Sequence, residues 1–186
     1  MRFSMQAMVV VTTAYIGSFI VMNLLISPVQ KAVFPELPAV VSLVFLPHGV
    51  RILTFYFCGW MGLIYLLPGA FLMWMLMVFG SGLNGYHIAG TAISLLSCFI
   101  GVAMARHFFE RLWVSSARFS WQQIMVAGVL GSIGNAAGLS LLQFSAPSPM
   151  IFSAYVIGDI SGLFLVLVFL MGSFRIFDRL TANALR

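Results

Sequence analysis

Between residues 6 and 172 the chain is a series of apolar runs about twenty residues long, divided by short stretches rich in proline, glycine or charge. A run of that length is what an α-helix needs to cross the hydrocarbon core of a bilayer. With 62% of its residues hydrophobic and 7% charged, the chain lies outside the range of soluble globular domains. Its 186 residues leave room for roughly five to seven spans and no separate soluble domain. The expected fold class is therefore all-α: a polytopic membrane protein forming a single integral membrane domain over residues 1–186.

The spacing predicts spans at about 6–26, 39–58, 61–79, 88–105, 124–142 and 151–172. The first run is longer than a signal-peptide core and no small-x-small cleavage site follows it, so it reads as a retained span. Pro28 should end it, with a proline-rich loop over 28–38. Gly59-Trp60 should turn the chain, and Pro68-Gly69 should kink the third span. The stretches 80–87 and 143–149 read as loops, and 106–123 is the most charged segment. For an even span count Arg2, Arg106, Arg111, Arg118, Arg175, Arg179 and Arg186 fall on one side, seven of the nine basic residues. Lys31 falls on the other, and Arg51 lies inside a span. The positive-inside rule then places both termini in the cytoplasm. The net charge of +5 comes from residues at span ends and is no nucleic-acid signal.

The stretch that departs most from simple spanning helix is 45–60, FLPHGVRILTFYFCGW. It predicts a second helix broken at Pro47-His48-Gly49. A break at membrane depth frees backbone groups that hydrocarbon cannot satisfy. A buried arginine is costly unless it is paired or hydrated. Asp159, in the sixth span, is the available acid at similar depth. Arg51 and Asp159 are therefore expected to form an ion pair, so that the two single alanine changes would each damage the fold more than the double change. The pair has two readings: a lock between the second and sixth spans, or part of a ligand site. In the second reading His48 and Arg51 receive a small polar or anionic ligand, Asp159 orients Arg51, and the broken helix offers free N–H groups to an anion. Asn135 and Asn23 read as helix–helix hydrogen bonds, with Asn135 also a candidate lining residue.

Three histidines without a cysteine cluster or helical His spacing predict no metal site. Cys58 and Cys98 read as small core residues. No nucleophile with a base and no phosphate loop is legible, so neither an enzyme nor a cofactor is expected. Two small-residue stripes stand out, Gly90-Ser94-Ser97-Gly101-Ala105 and Ala127-Gly131-Gly134-Gly138. They serve either internal helix packing or homo-oligomerisation.

Across residues 44–175 the chain resembles the MASE1 family of bacterial integral membrane sensory modules. The resemblance rests on Pro47 and Gly49 opening a span, Gly59-Trp60, Pro68-Gly69, and Gly158-Asp159-Ile160-Ser161-Gly162 in the last span. It implies a bacterial inner membrane and a role in signal transduction. The family often has an Asn with a Glu near positions 86–91, about eight spans and a fused output domain. Here both residues are missing, six spans are expected and a short tail follows Gly172. The resemblance therefore implies signalling through a separate partner or through the basic loop 106–118. A second class also fits the size and polar centre: the substrate-binding subunit of a small-molecule transporter, similar to the S-components of energy-coupling-factor systems.

Overall fold

The computed structural model of the chain describes residues 3–36, 42–81, 85–112, 120–143 and 149–184. Arg2, Arg118, Arg186, residues 39–41 of the expected second span, and most of the expected loop at 143–149 lie outside the described residues. Seven α-helices form within them: α1 (Met5–Val21), α2 (Ser27–Val33), α3 (Leu46–Cys58), α4 (Met61–Ser81), α5 (Gly85–Leu112), α6 (Trp121–Gln143) and α7 (Pro149–Ala184). No strand is present among the described residues.

Among the described residues, four helical stretches are long and apolar enough to cross a membrane: Met5–Val33, Ile88–Phe109, Trp121–Leu142 and Pro149–Thr181. A further apolar helix covers Met61–Leu76 over a shorter length. These stretches point to a membrane protein, as the scarcity of charge requires.

The helix ends follow local chemistry and depart from expectation in places: Gly80 and Ser81 of the expected loop close α4, and residues 85–87 open α5. Ser4 caps α1 by accepting from the Ala7 amide at 3.3 Å. Pro28 does not stop the first helix. The winding widens to a π-turn at Met22–Ile26 and continues as α2. A proline lacks the N–H that an α-helical interior needs, and a local π-turn lets the chain pass through it. Pro68 likewise sits inside the continuous α4. Gly59 ends α3 with φ +56°, a backbone state that only glycine adopts without strain.

The closest helix pairing is α5 on α6, and both small-residue stripes are used there. A Cβ added at Gly101 would sit 2.7 Å from the Gly131 Cα, so the two backbones touch directly. Small residues are what allow such approach. The core of the bundle gathers Tyr15 and Phe19 of α1, Ile52 and Phe55 of α3, Leu66 of α4, Cys98 of α5, Ile124 of α6, and Leu163 and Leu167 of α7.

Candidate functional site

Pro47 and Gly49 do not interrupt a helix. Pro47 lies in the first turn of α3, where its missing N–H costs nothing, and residues 42–45 before it are not helical. These residues lie on the glycine-rich turn of α7 instead. The Phe45 amide donates to the Gly158 carbonyl at 2.8 Å. The Ser161 hydroxyl donates to the Leu43 carbonyl at 2.6 Å. The Leu43 amide donates to Gln30 Oε1 at 2.8 Å. Gly158 and Gly162 have no Cβ, and that is why the backbone of residues 42–46 can press this close. Half-buried against α7, the stretch has these polar groups satisfied within the protein. The motif glycines thus set α3 against α7 and place His48 opposite Asp159.

The carboxylate of Asp159 is almost fully buried, at 2% exposure. Asn135 Nδ2 donates to its Oδ2 at 2.7 Å. His48 Nδ1 stands 3.4 Å from the same oxygen. The chain runs on through Ser94, whose hydroxyl donates to Asn135 Oδ1 at 2.8 Å. His48 itself is fully buried. Its Nε2 faces the Gly128 carbonyl at 3.3 Å and its Nδ1 faces Cys98 Sγ at 3.6 Å. A carbonyl only accepts, so Nε2 carries a proton. Cys98 and Asp159 both face Nδ1, so the ring cannot relay a proton from one to the other as in a nucleophile triad.

Arg51 does not pair with Asp159 as the sequence led us to expect. Its Nε donates to the Tyr15 hydroxyl at 3.0 Å, and Nη2 donates to the same oxygen. The guanidinium carbon lies 5.3 Å from the centre of the Tyr15 ring and 5.4 Å from that of Phe45, within cation–π range. At 4% exposure its Nη1 has no hydrogen-bond partner among the described residues. The carboxylate goes to His48 because His48 is the α3 residue facing the Gly158–Gly162 turn, while Arg51 faces α1.

Of the residues singled out from sequence, His48, Asn135 and Asp159 come together in one polar cluster, and Arg51 lies beside it on α3. Asn23 makes no hydrogen bond between helices among the described residues. Its amide donates to the Phe19 carbonyl of its own helix at 2.9 Å. Both cysteines are free. Sequence reasoning missed Tyr15, Ser94 and Cys98 as members. For Tyr15 the available signal was a phenol within an apolar span near the depth of an unpaired arginine. A separate apolar cleft of about 410 Å³ opens between α4 and α5, lined by Leu67, Phe71, Trp74 and Leu95 among others, and shares no residue with the cluster.

No family profile, curated protein or solved structure matches the chain.

Proposed function

We propose that this protein is a membrane-embedded sensory or ligand-binding module, of the kind MASE1 represents, in which Arg51 receives a small anionic or polar group. The supporting observation is the unpartnered Nη1 of a buried guanidinium. In this reading His48 Nδ1, 3.4 Å from Asp159 Oδ2, shares one further proton with the carboxylate. With that proton the His48–Asp159 pair is neutral overall. The charge of Arg51 is then left over in the centre of the bundle. An anion beside Nη1 would cancel it, and a buried charge is retained where it is matched. Binding there would act on α3, which is bonded to α7 through residues 43 and 45, and a separate partner would read the change.

Intact mass spectrometry of protein purified in gentle detergent tests this reading. Wild type should carry a small anion that Arg51→Gln lacks and Arg51→Lys retains in part. Protein with no bound small molecule, or equal loading of Arg51→Gln, overturns it.

The proposal includes six spans in a bacterial inner membrane with both termini cytoplasmic. Two spans beyond the four long helices would be residues 42–58 and α4. The α3 helix is short of a bilayer, at about 20 Å, and the non-helical residues 42–45 before it add length. A reporter fused after Arg186 should read cytoplasmic, and a periplasmic signal would refute the span count. For the transporter-subunit reading no specific observation speaks. The small-residue stripes that would dock a coupling subunit are taken up between α5 and α6.

A further inference from the structure

We infer that the last turns of α7, residues 173–181, form a contact for the anionic lipid headgroups at the membrane surface. The inference stands apart from the reading of Arg51. It begins from length. At 1.5 Å per residue the 36 residues of α7 measure about 54 Å, against about 30 Å of hydrocarbon. Leu163, Leu167 and Leu170 pack on the bundle core. Past Gly172 every described side chain through Thr181 is exposed.

This exposed stretch has two faces. Phe174, Ile176, Phe177 and Leu180 are each more than 60% exposed. At 100° per residue they share an arc roughly 160° wide. Arg175, Asp178 and Arg179 occupy the opposite arc. An apolar face of large residues backed by arginines is the pattern of a helix lying in the headgroup layer, with phenylalanine and leucine toward the acyl chains and the basic groups toward phosphate.

The occupant follows from position and charge. Tilts of up to about 40° are ordinary for spanning helices, and a tilt of about 35° fits all of α7 within the 40–45 Å that includes the headgroups. The segment is covalently held at that surface and need not leave it. A second copy of the chain would bring Arg175 and Arg179 toward their own equivalents, whereas anionic headgroups complement them.

Nitroxide labels report the contact. Phe177→Cys and Asp178→Cys would each be labelled in a Cys58→Ser background, since Cys98 is fully buried. The protein would be reconstituted in phosphatidylcholine vesicles with and without phosphatidylglycerol. The label at 177 should favour oxygen and the label at 178 a water-soluble nickel chelate. That contrast should grow severalfold with phosphatidylglycerol, and Arg175→Gln with Arg179→Gln should abolish the growth. Equal nickel exposure at both positions overturns the inference and means the helix projects into water toward a protein partner. Equal contrast in both vesicles overturns headgroup recognition. Dipolar broadening between labels overturns it in favour of a second copy.

Discussion

Replacing Gly162 by alanine should remove most of the folded protein. A Cβ at this position would overlap the Phe45 carbonyl and lie 2.8 Å from the Leu46 amide nitrogen. Both obstacles are backbone, so no side chain can rotate out of the way. Overpacking of this kind costs on the order of 1–3 kcal/mol, and rigid backbone on both sides puts Gly162 at the upper end. Gly158→Ala should behave alike, because its Cβ would overlap the Ser42 carbonyl. Relief by separation would also break the bond from the Phe45 amide to the Gly158 carbonyl. Gly17→Ala is the control. Nothing lies within 4 Å of its Cβ, and alanine is worth about 0.5–1 kcal/mol over glycine in a helix interior. Thermal midpoints of the tagged variants in detergent, read by size-exclusion chromatography, decide the matter. If Gly162→Ala melts no lower than Gly17→Ala, residues 42–46 do not sit on α7 as described.

That contact also explains what the sequence revealed and what it hid. The class of fold follows from charge scarcity, because long uncharged runs have one stable home. Asp159 and His48 were findable because ionisable groups at bilayer depth are rare and the glycines flanking Asp159 are spaced one helical turn apart. Their partners were not. Rise per residue gives depth, and by depth alone Arg51 and Asp159 are within reach of each other. Which side chain meets the carboxylate depends on how α3 docks on α7. His48 and Arg51 lie about one turn apart, and only the docking of residues 42–45 on Gly158–Gly162 sets which of them points at α7. The same docking turns Pro47 from an expected break into a helix start. Tyr15 was out of reach for another reason. It meets Arg51 across 36 positions of chain, and no periodicity encodes which helix lies beside which.

A double-mutant cycle on Asp159 should separate its true partner from its neighbour. Asp159→Ala alone should cost about 3–5 kcal/mol, the range for breaking a buried charged pair. It strands Asn135 Nδ2 and His48 Nδ1 in a dry interior. If the imidazole is the partner, His48→Ala and Asp159→Ala together should cost less than their sum by about 1–3 kcal/mol. Arg51→Ala and Asp159→Ala should couple by less than about 1 kcal/mol, since the guanidinium is held by the Tyr15 hydroxyl and by two aromatic rings. Both cycles can be read from reversible unfolding in mixed micelles. The order of the two coupling energies carries more than the packing. A larger value for Arg51 would mean that the carboxylate answers the guanidinium, that the bundle centre is already neutral, and that no anion is needed there. With the shared proton proposed for His48 and Asp159, that order leaves the charge of Arg51 over, and it is that surplus which makes an anionic ligand the chemistry to look for.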